Sequence, residues 1–218
     1  MRFTGIIFYV IIFILSCDRA PEYPARPTIR FEKIRRFVIK NPYTLSQTDS
    51  IIITVRFEDG DGDLGLSDQD IYYPYQPYDF VLDDDGNILK LSSGGGSESY
   101  NPCYYIIGNY AGMNSGIDTF RVNYNPDHFN FFVDMWIKEG TVFKRYDTCY
   151  SPLNGRFPLL SPRNYEGPID GELSFTISDQ PWLAEILNGK IVKFQIYIQD
   201  RALHKSNMVE TSEIQFRY

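Results

Sequence analysis

From Thr28 onward, apolar and polar residues alternate with a period of two. In SIIITVRFE (50–58), Ile51, Ile53, Val55 and Phe57 share one face, while Thr54, Arg56 and Glu58 share the other. In IVKFQIYIQ (191–199) the apolar face is Val192, Phe194, Ile196 and Ile198, and in TSEIQFRY (211–218) it is Ile214, Phe216 and Tyr218. Side chains of a strand point alternately to its two faces, so this pattern predicts strands with one face in a core. Further strands are predicted at 28–35, 78–82, 87–91, 118–124, 129–138, 142–146 and 172–177, each bounded by Gly, Pro, Asn or Asp. Asp84-Asp85-Gly86-Asn87 predicts a tight turn. Helical periodicity occurs once, in QPWLAEIL, with Asp179 as cap, Pro181 in the first turn and Gly189 as the stop.

A strand, a short helix and two further strands at the C-terminus follow the E, F, G order of an immunoglobulin-like β-sandwich, with 28–35 and 51–57 as strands A and B. The expected fold is therefore all-β: one such sandwich over 28–218, one short helix, and a long inserted middle region. That middle, 64–171, reads as an overgrown C–D segment with extra hairpins. YYPYQPY (72–78) and SSGGGSES (92–99) have loop compositions, and no internal repeat is present.

The N-terminus has a different pattern. After Arg2 comes the apolar run Gly5–Leu15, which has the length of a signal-peptide core and is far short of the roughly 20 residues a membrane-spanning helix needs. Its ending, Ile14-Leu15-Ser16-Cys17, resembles a bacterial lipobox. That resemblance implies that residues 1–16 are a removed signal peptide and that Cys17 is diacylated, which gives stable membrane anchoring. The alternative is an ordinary secretory signal with an incidental Cys17. Residues 17–27, with three prolines in DRAPEYPARP, read as an extended tether, and the expected location is the cell envelope, at the outer membrane.

Composition narrows the partners. Lys and Arg number 21 against 28 Asp and Glu, a net charge of −7, and no basic stripe exists to meet nucleic-acid phosphates. Aromatic residues at 16% supply enough apolar surface to exclude intrinsic disorder. With Cys17 assigned to lipid, Cys103 and Cys149 are expected to form a disulfide in an oxidising compartment; two buried thiols are the alternative. Such a bridge closes a loop of about 45 residues, worth ~3–4 kcal/mol.

The segment Glu58–Asp70 (EDGDGDLGLSDQD) carries the most chemistry. Gly60, Gly62 and Gly65 satisfy a dinucleotide fingerprint, but no helix follows and Asp61 and Asp63 would repel a pyrophosphate. An EF-hand also fails, because Leu64 stands where that loop needs Gly and Asp70 where it closes with Glu. What remains is a Ca2+ site in a sandwich loop. Asp59, Asp61 and Asp63 alternate with glycines, and Asp200, leaving strand F, is expected beside them because the B–C and F–G loops share one end. The competing reading is a hydrogen-bonded turn in which Arg201 neutralises the carboxylates.

No GxSxG, HExxH, SxxK or phosphate-loop motif occurs, and His128 and His204 read as turn or surface residues. An enzyme is therefore not expected. Tyr72, Tyr73, Tyr75 and Tyr78 form a Pro-bracketed aromatic loop that suits either stacking on sugar rings or covering a sandwich edge.

FEDGDGDLGL (57–66), NGRFPLL (154–160), GPIDGELSFTI (167–177) and VKFQIYIQDRALHKSNMVETSEI (192–214) resemble a family of uncharacterised Bacteroidetes lipoproteins. The resemblance implies an envelope-anchored immunoglobulin-like domain and no particular reaction. QDRALHKSN also resembles the DxAGNxS ending of bacterial immunoglobulin-like modules, with Leu203-His204 in place of Gly-Asn. The expected function is a non-catalytic structural or binding module, anchored in the membrane through Cys17, with an unidentified protein or glycan partner. The alternatives are a glycan-capture module built on the Tyr loop, or a hydrolase.

Overall fold

The computed structural model describes residues 21–40, 47–91, 100–101, 103–109, 117–146, 153–178 and 186–216. Among the described residues eleven strands run in chain order: β1 Thr28–Lys40, β2 Gln47–Asp59, β3 Tyr78–Phe80, β4 Tyr105–Gly108, β5 Asp118–Tyr124, β6 Phe131–Glu139, β7 Val142–Arg145, β8 Ile169–Ser178, β9 Ile191–Ile198, β10 Val209–Glu210 and β11 Ile214–Gln215. They form three antiparallel sheets, ordered β1-β2-β8, β10-β9-β6-β7 with β11 also on β9, and β3-β5-β4.

The first two sheets share one core, as the alternation requires. Ile51, Ile53, Val55 and Phe57 of β2 are buried, and so are Phe131, Val133, Met135 and Ile137 of β6 and Val192, Phe194, Ile196 and Ile198 of β9. Ile29 of β1 and Leu173 and Ile177 of β8 complete the facing wall. Each fully buried side chain of this kind contributes about 1.5–3 kcal/mol. Thr54, on the nominally polar face of β2, is also buried, and its hydroxyl lies 2.9 Å from that of Ser174 on β8.

The fold is the expected all-β sandwich: β1, β2 and β8 stand as A, B and E, opposite β6, β9 and β10–β11 as C, F and G, with β7 beside C. Strand G is split in two. In the break, the Thr211 hydroxyl accepts the Phe194 N–H at 3.0 Å, and its own N–H donates to the Phe194 carbonyl at 2.9 Å.

Three expectations need correction. Strand C lies inside the supposed C–D segment, so the long insertion falls between B and C and carries the β3-β5-β4 sheet. Which alternating segment pairs with strand F is a long-range choice that alternation leaves open. Residues 87–91 form only isolated bridges, Leu82 with Ile88 and Lys90 with Phe120, although the turn before them forms as predicted, with Gly86 at φ 82°. Finally, residues 23–27 are strapped to the sandwich rather than hanging as a tether, with Pro27 buried and the Gly60 N–H donating to the Pro24 carbonyl at 2.9 Å.

Of the expected helix, Ile186 and Leu187 are helical and Gly189 ends it at φ 74°; residues 179–185 lie outside the described residues. So do the signal peptide, Cys17, Cys149 and the 92–99 loop. A short 3-10 turn at Pro126–His128, which periodicity did not predict, leads into β6; its Asn125 cap accepts the Asp127 N–H at 3.0 Å.

Candidate metal centre

Strand parity places two carboxylates in the core. On β2 the inward positions 51, 53, 55 and 57 are followed by Asp59, which is 0% exposed, and on β9 the inward positions 192 to 198 are followed by Asp200, which is 2% exposed. Both facing stripes therefore end in an aspartate at the same end of the sandwich. The glycine-rich turn after β2 then brings up Asp63. Asp59, Asp63 and Asp200 each offer a carboxylate oxygen, all within 4.8 Å of one another.

The turn gives Asp59 and Asp63 a partner on one oxygen and leaves the other unused, while His204 engages both oxygens of Asp200. Asp59 Oδ2 accepts the Asp63 N–H at 3.1 Å, and Asp63 Oδ2 accepts the Ala202 N–H at 3.0 Å. Asp200 accepts the His204 N–H at 2.7 Å on Oδ1 and faces His204 Nδ1 at 2.9 Å through Oδ2. Asp59 Oδ1, Asp61 Oδ1 and Asp63 Oδ1 are buried without any hydrogen-bond partner. Leaving such atoms buried and unpaired is costly.

The electrostatics record that cost. Burial, then the charges of Asp61, Asp63 and Asp200, pushes the Asp59 carboxyl up to about 7. Burial, then Asp200 and Asp61, pushes Asp63 up to about 6, with the Arg201 charge pulling the other way. Asp200 is raised by burial, against the His204 hydrogen bonds. The expected neutralising hydrogen bond from Arg201 is not made by Nη1, which is itself buried without a partner. Arg201 instead uses its backbone, donating its N–H to the Asp63 carbonyl at 3.3 Å and accepting the Tyr75 hydroxyl on its own carbonyl.

The donor set consists of oxygens alone, the preference of a hard cation, and Ca2+ takes six to eight of them in irregular geometry. Asp59, Asp63 and Asp200 would hold the ion directly. Asp61 lies outside the 4.8 Å group but turns its unpartnered Oδ1 into buried space.

Residues with no motif of their own support the loop. Leu66 donates its N–H to the Phe157 carbonyl at 3.1 Å, and Leu160 donates to the Leu64 carbonyl at 3.1 Å, so 157–160 stitch down 64–66. Gly65, at φ 102°, sits so close that a Cβ would lie 2.2 Å from the Pro158 carbonyl oxygen. Arg163 Nη2 reaches both oxygens of Asp70 at 2.9 and 2.8 Å, and Arg156 Nη2 donates to the Ser67 and Asp70 carbonyls at 2.9 and 3.0 Å. Of the two, only Arg156 falls in a string singled out in the sequence, NGRFPLL, and no local pattern marks either arginine. Leu203 takes the left-handed conformation, φ 67°, at the position where a DxAGNxS ending carries Gly.

The four loop tyrosines separate. Tyr72 and Tyr73 are 77% and 89% exposed. Tyr75 turns inward to the Arg201 carbonyl, and Tyr78 packs edge-on to Phe80 and Tyr124 at 5.6 and 6.4 Å. Both histidines hold loops: His128 Nδ1 lies 2.9 Å from the Tyr75 carbonyl, and His204 is on Asp200. Compared with protein-family models, with curated proteins and with solved structures, the chain has no match.

Proposed function

We propose that this chain is a lipid-anchored envelope protein whose immunoglobulin-like sandwich binds Ca2+ between its B–C and F–G loops and acts as a non-catalytic structural or binding module. The observation that carries the calcium assignment is the convergence of Asp59, Asp63 and Asp200 within 4.8 Å, with Asp59 fully buried and its Oδ1 unpartnered. An ion there supplies the positive charge that buried, mutually repelling carboxylates lack. It joins the turn after β2 to the turn after β9, one from each sheet, and so closes that end of the sandwich. The envelope assignment rests on the Ile14–Cys17 lipobox, and the oxidising compartment supports a Cys103–Cys149 bridge.

The test is thermal unfolding of the purified chain after chelation, then with added calcium. Saturation at about a hundredfold excess over Kd adds ~2.7 kcal/mol, which is ~5–10 °C for a domain of this size. An unchanged Tm between EDTA and millimolar calcium refutes the site. Labelled palmitate incorporated by the wild type but not by Cys17→Ser tests the anchor. A Tyr-loop sugar platform is the second reading; the exposed Tyr72 and Tyr73 favour it, while Tyr75 and Tyr78 are engaged elsewhere.

A further inference from the structure

The chain enters the sandwich at the acidic end. The Tyr23 hydroxyl donates to Asp170 Oδ2 at 3.0 Å, the Pro24 carbonyl accepts from Gly60, and Arg26 Nε donates to the Lys205 carbonyl. This strap needs a glycine at 60, where a Cβ would lie 2.2 Å from the Tyr23 carbonyl oxygen. Between Cys17 and Tyr23 the chain can then span at most about 20 Å. A body of ~190 residues has a radius of gyration near 16 Å and a diameter of about 40 Å. A lipid at Cys17 therefore keeps the acidic end within about 20 Å of the bilayer and the opposite end out of its reach.

The same end presents an apolar tip. Ile71, Tyr72 and Tyr73 are 46%, 77% and 89% exposed. They connect to the strap through a continuous series of contacts: Gly60 to Pro24, Arg201 N–H to the Asp63 carbonyl, and the Tyr75 hydroxyl to the Arg201 carbonyl. The tip is held rigidly, with Asp70 accepting from Ser67 N–H at 2.7 Å and from Arg163, and the Tyr75 N–H donating to the Tyr72 carbonyl at 2.7 Å.

We propose that Ile71, Tyr72 and Tyr73 are a membrane-facing tip that sits in the headgroup region of the bilayer to which Cys17 is attached; the proposal rests on the lipidation proposed above. Tyrosine favours that region because its ring is apolar and its hydroxyl stays wet. The short lead makes the contact intramolecular, at an effective concentration of about millimolar, so a weak intrinsic affinity is enough to keep the tip seated. The tip thereby fixes the orientation of the sandwich, with the β6–β7 turn, about 27 Å along β6 from the end beside Asp200, pointing away from the membrane.

The experiment uses the full lipidated chain in zwitterionic phosphatidylcholine–phosphatidylethanolamine vesicles, which avoid repulsion by the nearby aspartates. Tyr73→Trp and, at the start of β7 beside the β6–β7 turn, Val142→Trp are compared with wild type in vesicles with and without brominated lipid. Expected is quenching of the Tyr73→Trp indole about twofold stronger than that of wild type, with none added by Val142→Trp. A chain that floats with its vesicles but shows equal quenching at both positions overturns the orientation alone. A chain that does not float overturns the anchor and the orientation with it. Tyr73→Trp emission that responds to xylan oligosaccharides and not to brominated lipid overturns the membrane tip in favour of sugar stacking.

Discussion

Replacing Asp59 by Asn should stabilise this protein without calcium and leave it about level with wild type at saturating calcium. The substitution keeps the shape and the acceptor for the Asp63 N–H but removes one buried charge. The Asp59 carboxyl stands at about 7 against the usual 3.8, a gap of roughly 3 pH units. At about 1.4 kcal/mol per unit, holding that carboxylate ionised costs ~4 kcal/mol above neutrality. The asparagine amide still needs partners, and the carboxylates of Asp63 and Asp200 within 4.8 Å provide acceptors. A net gain of ~2–3 kcal/mol in EDTA at pH 7.5 is therefore expected, a rise in Tm of about 4–12 °C. With calcium that advantage is cancelled: wild type gains ~2.7 kcal/mol at a hundredfold excess over Kd, and the variant gains little of it. The assay is calorimetric unfolding of both proteins in EDTA and in calcium. An equal loss of stability under both conditions would refute the reasoning, since it would make Asp59 a structural hydrogen-bond acceptor and nothing more.

Four further outcomes follow from the same geometry. Without calcium, the raised Asp59, Asp63 and Asp200 bind more protons folded than unfolded; their stabilisation is fully present below about 4 and is lost as pH rises through about 7, against the opposing charges of Arg201 and His204. Tm difference curves of wild type against Asp59→Asn between pH 4 and about 8 check this, and parallel curves count against it. Leu203→Gly should be neutral or stabilising by up to ~1 kcal/mol in urea unfolding, because it relieves a left-handed leucine at the cost of chain entropy. Gly65→Ala should destabilise by about 2 kcal/mol or more and weaken calcium binding in isothermal titration, because its Cβ meets the Pro158 carbonyl. Non-reducing peptide mapping should recover Cys103 linked to Cys149, and reduction should lower stability by ~3–4 kcal/mol; recovery of both as alkylated thiols without reduction removes the bridge.

Much of this was legible in the chain itself. Alternation located the core faces of β2 and β9 residue by residue, because a strand that buries one face has no other way to place its side chains. The same parity, carried two residues further, already puts Asp59 and Asp200 inside. The grouping of Asp200 with the B–C loop was readable too, since sandwich topology gathers those loops at one end. Arg156 and Arg163 were not readable as supports of the acidic loop: they act on Ser67 and Asp70 across more than eighty positions of chain, and no local spacing encodes such a contact. The tyrosines fared likewise: Tyr75 turns in to the distant Arg201 carbonyl while Tyr73 stays 89% exposed, and no local spacing tells them apart.

The sequence by itself determined the all-β character, the inward stripes, the placement of the turns and the chemistry of the acidic loop, because each depends on residues within a few positions of one another. Tertiary structure alone decided which segment serves as strand C, that the insertion falls between B and C, that residues 23–27 are fastened down, and which carboxylate oxygens are left without partners. Those outcomes depend on competition among distant segments for the same sheet edges and hydrogen-bond donors, and only the folded chain settles that competition.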